Sequence, residues 1–127
     1  MISGLIRTAR PKQWLKNVLV FAAPGAAGLL NQGQELLLTS VVFIAFCFAA
    51  TATYFWNDLF DIEADRKHPT KRLRPLAAGE VSISAARLAG ILAPLAALGL
   101  AALTGRWQTV AVVAAYLAIN LAYNLGL

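Results

Sequence analysis

The acidic side chains of this 127-residue sequence are concentrated in one short segment. Four of the six Asp and Glu residues lie within eight positions, and they are Asp58, Asp61, Glu63 and Asp65, with Asn57 directly before them. On a helix that advances about 100° per residue, Asn57 and the three aspartates fall within one stripe about 100° wide, and Glu63 falls on the far side. The spacing therefore predicts three carboxylates and one amide facing the same cavity.

Three carboxylates this close repel one another, and a divalent cation would offset that repulsion. Oxygen ligands without histidine or cysteine favour Mg²⁺ or Mn²⁺ over Zn²⁺, and Mg²⁺ commonly joins carboxylates to substrate phosphates. We therefore expect Asp58, Asp61 and Asp65 to be metal ligands, with Mg²⁺ as the cofactor and a leaving diphosphate as the anion. Such a pattern is more often only a solvated helix face, but here it follows an uncharged apolar segment of 21 residues, where acidic clusters usually mark function.

Basic residues follow the acidic cluster at once. Five of the eleven lie in residues 66–74, and they are Arg66, Lys67, Lys71, Arg72 and Arg74. Guanidinium groups suit bidentate phosphate contacts, so Arg66, Lys71 and Arg74 are candidate substrate-binding residues, together with Asn57. The competing interpretation is membrane topology alone, because positive charge collects on the cytoplasmic side of spans. Both interpretations can hold at once.

Three further candidates for substrate binding lie on other predicted helices. Lys16 and Asn17 stand at one end of the first apolar segment, where Lys16 either reaches an anionic substrate or extends to lipid headgroups. Tyr123 shares a helix face with Asn120 and Asn124 near the end of the chain. For that face, hydrogen bonding between helices is the competing interpretation.

The composition predicts the elements that must position these residues. The sequence is 59% hydrophobic and only 13% charged, whereas a soluble domain carries about 25% charged residues. A chain this short could not hide that much apolar surface from water. We predict an all-α membrane protein with one transmembrane domain, residues 1–127. Its four spans are expected at about 14–30, 36–56, 85–104 and 107–127, with a polar loop at 58–84.

The distribution of positive charge predicts the orientation of the four spans. The N-terminal arm holds four basic residues and the loop 58–84 holds five, whereas the connection between the last two spans holds one. We therefore expect the N-terminus and the Asp-rich loop on the cytoplasmic side of the plasma membrane. Because the basic clusters flank apolar spans, the expected partner is the lipid bilayer and not nucleic acid, despite a net charge of +5.

Two motifs carry a resemblance to a known family. The pattern NDxxDxxxDR at residues 57–66 and RPLxxG at residues 74–79 resemble the first aspartate-rich motif of the UbiA superfamily of intramembrane prenyltransferases. Residues 10–24 and 65–79 are similar to its decaprenyl-phosphate phosphoribosyltransferase branch. The resemblance implies the N-terminal part of a ring of nine transmembrane helices around a cavity open to the cytoplasm. It also implies that Asp58, Asp61 and Asp65 are catalytic residues that bind Mg²⁺ and diphosphate.

The activity implied by this branch is transfer of 5-phosphoribose from phosphoribosyl diphosphate to a polyprenyl (decaprenyl) phosphate, in the synthesis of cell-wall arabinan precursors. The family is about twice as long and has a second aspartate-rich motif, whereas no acidic residue follows Glu80 here. We therefore expect the N-terminal half of such an enzyme, inactive or marginally folded alone, with a complementing C-terminal half as a candidate partner.

Two alternatives stay open at this point. An ordinary UbiA prenyltransferase would use the same aspartates to bind a prenyl diphosphate and would transfer the prenyl group to an aromatic acceptor. A non-catalytic membrane subunit, or half of a small transporter that dimerises, would use the acidic face for cation transport.

Overall fold

The computed structural model describes residues 1–28 and 31–127, and the elements it assigns there are all helical. In chain order they are α1 (Ile2–Ala9), a 3₁₀ helix (Pro11–Phe21), α2 (Ala22–Ala26), α3 (Gly33–Phe60), α4 (Ile62–Arg66), a short 3₁₀ helix (Lys71–Leu73), α5 (Ile83–Leu103) and α6 (Trp107–Asn124). The prediction of an all-α protein is confirmed.

Two of the described helices, α3 and α5, are long and apolar enough to cross a membrane. Helix α3 has 28 residues and contains the predicted span 36–56, and α5 has 21 residues and nearly coincides with the predicted span 85–104. Helix α6 begins at the expected residue, Trp107, and ends at Asn124. The total of four spans and the nine-helix ring stay predictions.

The segment predicted as the first span is not one continuous α-helix. The chain forms a 3₁₀ helix over Pro11–Phe21 and then the short α2, and residues 29–30 of the predicted span lie outside the described residues. Pro11 begins the 3₁₀ helix, and Pro24 within α2 has no N–H to donate. A 3₁₀ helix of 11 residues is unusually long, and such stretches often mark a hinge or local strain.

Small side chains form the core between the long helices. Helix α3 lies at the centre and packs against α5, α6, the 3₁₀ helix Pro11–Phe21 and α1. Its Ala49 and Ala52 belong to the same buried cluster as Ala93, Ala97 and Ala101, which recur every fourth residue along one face of α5. Without a strong hydrophobic driving force between helices in lipid, small residues favour association because they let the two backbones approach closely.

Large apolar side chains point away from this core. On α5, Leu88, Ile91 and Leu95 are each more than half exposed, and on α6 Ile119 is 69% exposed. Small residues inside and bulky aliphatic residues outside are the arrangement that a lipid solvent allows and that water opposes. The outer surface of α5 and α6 is therefore suited to contact with the bilayer.

One close contact fixes how α3 crosses α5. The indole N–H of Trp56 donates to the carbonyl oxygen of Gly90 over 2.9 Å. A Cβ added at Gly90 would lie only 3.1 Å from Cδ1 of Trp56. Glycine at this position therefore lets the ring reach the backbone of α5.

We expect Gly90→Ala to destabilise the protein by about 1–2 kcal/mol, because the ring must move and its hydrogen bond lengthens. Gly99→Ala on the same helix is the matched control, since nothing lies within 4 Å of an added Cβ there. That control should be neutral or stabilising by about 0.5–1 kcal/mol. Thermal unfolding of both variants in one detergent measures the difference, and equal shifts would contradict the packing argument.

Helix α1 packs against the C-terminal end of the polar loop. Gly4 comes so close to Val81 that an added Cβ would lie 2.8 Å from its Cγ2, and Arg7 forms an ion pair with Glu80. The hydroxyl of Thr8 donates to the carbonyl of Gly4 over 2.8 Å. The contacts of Gly4 with Val81 and of Arg7 with Glu80 hold the N-terminal arm beside the segment that carries the site described next.

Candidate active site

The Asp-rich motif spans the junction between α3 and α4. Asp61 separates the two helices with φ −95° and ψ 7°. Backbone hydrogen bonds nevertheless continue across it, from Asp61 N–H to the Asn57 carbonyl over 3.0 Å and from Asp65 N–H to the Asp61 carbonyl over 2.8 Å. The helical path is thus kept, and Asp58 and Asp65 stay on the same side of it, as the spacing predicts.

Arg74 joins these two carboxylates. Its Nη1 lies 3.1 Å from Oδ2 of Asp65 and 3.5 Å from Oδ1 of Asp58. Asp58 and Asp65 are almost fully buried, at 2% and 3% exposed. Leu76 follows Arg74 by two positions and is also buried, so the loop returns to α3 on an apolar anchor. Arg74, expected from the sequence as a phosphate contact, is thus an ion-pair partner of both acids in this structure, and its role in substrate binding stays a prediction.

Arg10 is a second cation at the site, and the sequence analysis did not select it as a site residue. Its Nη2 lies 2.7 Å from Oδ1 of Asp58, and its Cζ lies 4.8 Å from the centre of the Tyr54 ring. Arg10 has φ 54°, the left-handed conformation that few non-glycine residues adopt, and it connects α1 to the 3₁₀ helix. The one signal in the sequence that could have identified Arg10 as a site residue was its place in the family-like segment 10–24.

Asp61 is not part of this ionic cluster. It is exposed, and within residues 1–28 and 31–127 its carboxylate forms no hydrogen bond or ion pair. In the same ranges no three His, Cys, Asp or Glu side chains come together as a metal site. Two of the three expected carboxylates therefore converge, and the third, that of Asp61, does not. The metal-binding role of all three stays a prediction.

The other candidates in the loop form no ion pair with Asp58 or Asp65 among the described residues. Asn57 is half-buried next to Asp58, and Lys71 is exposed in its short 3₁₀ helix. Arg66 donates from Nε to the Ala77 carbonyl over 3.2 Å and pairs with Glu63 at 3.3 Å. Arg66 thus stabilises the loop in this structure, whereas the side chain of Lys71 forms no comparable hydrogen bond or ion pair among the described contacts.

The candidates on the other helices lie apart from the cluster. The amide of Asn17 donates to Sγ of Cys47 over 3.6 Å, in the middle of α3. Lys16 is exposed on the 3₁₀ helix, and Tyr123 is 79% exposed on α6. None of the three contacts Asp58 or Asp65 within the described part of the chain. Their roles in substrate binding stay predictions.

The two buried carboxylates fit a Mg²⁺ site of the kind that substrate phosphates complete. Oxygens of both Asp58 and Asp65 lie within 3.5 Å of a single guanidinium nitrogen, so they converge on one small volume. Mg²⁺ is usually held by one or two carboxylates together with substrate phosphates and water. Asp58 and Asp65 could supply that pair. The guanidinium groups of Arg74 and Arg10 lie directly beside these carboxylates, where they could contact an anion.

An apolar outer surface, membrane-length helices and a buried ionic cluster at the end of one of them define an integral membrane protein with a polar site at its surface. Comparison with known proteins identifies the family within this class. Residues 18–127 match the UbiA prenyltransferase family, and the chain belongs to that family.

Three of the similar curated proteins come from mycobacteria and a corynebacterium, and each of these three is named decaprenyl-phosphate phosphoribosyltransferase. The protein of Mycolicibacterium smegmatis is 46% identical over all of this chain and 41% of its own length. That of Corynebacterium glutamicum is 42% identical over 99% of this chain and 39% of its own length. That of Mycobacterium tuberculosis is 43% identical over all of this chain and 43% of its own length. The chain thus spans about two fifths of these relatives.

Proposed function

We propose that residues 1–127 form the diphosphate-holding part of a Mg²⁺-dependent phosphoribosyltransferase. The reaction moves 5-phosphoribose from phosphoribosyl diphosphate to a polyprenyl phosphate such as decaprenyl phosphate and releases diphosphate. Its product would serve cell-wall arabinan synthesis. The observation that carries the proposal is the convergence of Asp58 and Asp65 on Arg74, in a chain whose similar relatives bear this activity in their names.

The chemistry of the site suits departure of a diphosphate. When bound, Mg²⁺ would neutralise charge on the leaving group. Asp58 and Asp65 would hold the cation, with Asp61 as the further ligand expected from the motif. Arg74, Arg66 and Lys71 would bind phosphate oxygens, because guanidinium and ammonium groups stabilise the negative charge that develops there.

The bond changes need no strong base. The bond between C1 of the ribose and the diphosphate oxygen breaks, and its electron pair leaves with the diphosphate. An oxygen of the acceptor phosphate, already ionised at neutral pH, forms the new bond to C1. The chain's own contribution is to orient the donor through its charged groups, with Lys16, Asn17, Asn57 and Tyr123 as further candidate contacts, while the polyprenyl chain lies along the apolar helices.

The proposed setting follows from the charge distribution. The N-terminus and the loop 58–84 would face the cytoplasm from the plasma membrane, since nine basic residues lie on that side and one on the other. A C-terminal segment like that of the relatives, supplied by a longer polypeptide or a second chain, would complete the helical ring.

The test joins residues 1–127 to the part of the Mycolicibacterium smegmatis relative that follows its matched region, with the intact relative as a positive control. Purified fusion protein receives labelled phosphoribosyl diphosphate with polyprenyl phosphate, or a labelled prenyl diphosphate with an aromatic acceptor. We expect Mg²⁺-dependent labelling of the polyprenyl phosphate and none of the aromatic acceptor.

The two other outcomes are equally informative. Transfer of the prenyl group would support the ordinary UbiA activity, which the family name alone favours. Neither transfer, in a fusion protein that folds and binds no Mg²⁺-diphosphate, would favour a non-catalytic membrane subunit and would overturn the proposal.

A further inference from the structure

Four charged side chains at the site, two acidic and two basic, form ion pairs with one another. Oδ1 of Asp58 accepts from Nη2 of Arg10 over 2.7 Å and from Nη1 of Arg74 over 3.5 Å, and the latter atom also reaches Asp65 over 3.1 Å. Two carboxylates and two guanidinium groups give the set a net charge of zero. The carboxylates are buried and the guanidinium groups about one quarter exposed, so solvent screens the four charges only in part.

We propose that Arg10 is the exchangeable counter-ion of Asp58, so that the site takes a divalent cation and a diphosphate together and binds either one alone much more weakly. The proposal rests on the proposed function, because it concerns the same Mg²⁺-diphosphate site. It adds a positioning residue, Arg10, and an obligatory coupling between the two ligands.

The coupling follows from charge balance. A divalent cation alone would add two positive charges beside two guanidinium groups, and a diphosphate alone would place its negative charges beside two buried carboxylates. When both bind, the carboxylates turn to the cation and the guanidinium groups turn to the phosphate oxygens. Every charge then keeps a partner of opposite sign, which a partly buried site requires.

The conformation of Arg10 suits this exchange. Its backbone is fixed on one side by α1, which Gly4 and Arg7 hold against the end of the loop, and on the other by the 3₁₀ helix that begins at Pro11. Its guanidinium already rests over the ring of Tyr54 at 4.8 Å. The guanidinium group of Arg10 can therefore leave Asp58 by side-chain rotation and keep its contact with the face of the Tyr54 ring.

Direct binding measurements on the fusion protein described above, reconstituted in lipid nanodiscs, test the proposal. Mn²⁺ binding is followed by electron paramagnetic resonance without diphosphate, and retention of labelled diphosphate is followed with excess Mg²⁺ or with a chelator. For the wild type we expect retention of diphosphate with Mg²⁺ and at least about tenfold weaker binding of Mn²⁺ alone and of diphosphate alone. If Mn²⁺ alone and diphosphate alone each bind as tightly as the two ligands bind together, the proposal is overturned by the wild type itself.

Arg10→Gln gives the sharper result, because its two effects have opposite signs. Loss of the positive charge should tighten binding of Mn²⁺ alone by about tenfold and weaken retention of Mg²⁺-diphosphate by about tenfold. Arg10→Lys keeps the charge and should leave Mn²⁺ binding as in the wild type. Lys12→Gln is the matched control, since Lys12 is exposed two positions away, and it should change neither measurement.

The outcomes separate this inference from the proposed function. If the wild type retains no Mg²⁺-diphosphate, both fail. If it does, but Arg10→Gln weakens both ligands or changes neither, Arg10 has only a structural role and the counter-ion assignment is wrong.

Discussion

Asp58→Asn should reduce both retention of Mg²⁺-diphosphate and turnover by the fusion protein by at least about a hundredfold. Asp58 is the most contacted acid of the site, with both Arg10 and Arg74 on its Oδ1, and it is 2% exposed. The amide keeps the size of the side chain and removes the charge that a divalent ion requires. Diphosphate retention in nanodiscs and labelled product from the fusion protein provide two separate measurements.

Two neighbouring substitutions make this result specific. Glu63→Gln should leave both measurements within about twofold, because Glu63 is 77% exposed and pairs only with Arg66 among the described residues. Asp61→Asn decides between the two descriptions of the metal site. A loss as large as that of Asp58→Asn would support the three-carboxylate site expected from the motif, and activity above about one tenth of the wild type would count against it.

Arg74→Gln should destabilise the folded chain by about 2–4 kcal/mol, because it leaves Asp58 and Asp65 buried with one cation fewer between them. Adding Asp65→Asn to this variant should recover part of the loss, since the unpaired charge is then removed. Unfolding monitored by circular dichroism in a single detergent provides the comparison. If the effects of the two substitutions on the free energy of unfolding do not add, Arg74 and Asp65 are directly coupled.

Arg72→Gln is the matched control for Arg74→Gln. Arg72 lies two positions earlier in the short 3₁₀ helix Lys71–Leu73 and is exposed. Its loss should change stability by no more than about 0.5 kcal/mol. An equal loss for both variants would mean that general positive charge in the loop, and not the bridge between two buried acids, stabilises the fold.

The sequence was most informative where one physical rule decided the structure. Long runs of apolar residues predicted α3 and α5, because backbone groups in an apolar solvent must be paired within a helix. Helical spacing placed Asp58 and Asp65 on one side, and the clustering of charge selected Arg74 as a site residue, although its ion pairs with the two acids were not predicted. Each of these inferences needed only residue types and their separation along the chain.

The sequence was least informative where tertiary contacts and backbone conformation compete with those rules. The segment 14–30 has the hydrophobicity of a span, but with Pro24 inside it, and Pro11 and the left-handed Arg10 before it, the chain there forms a 3₁₀ helix and a short α-helix. Asp61 fits the stripe by angle, but the chain departs from α-helical geometry there. Arg10 lies 48 positions from Asp58, and only the return of α1 to the loop brings them together.

The length of α3 also relates the protein to the thickness of its membrane. Its ionic ends, Glu35 and Asp58, are about 35 Å apart along the axis, slightly more than the roughly 30 Å of a hydrocarbon layer. An upright α3 thus holds both charges just beyond the acyl chains, and a thicker bilayer would draw Asp58 towards hydrocarbon. The length of this helix therefore places the charged cluster at the boundary between the acyl chains and water.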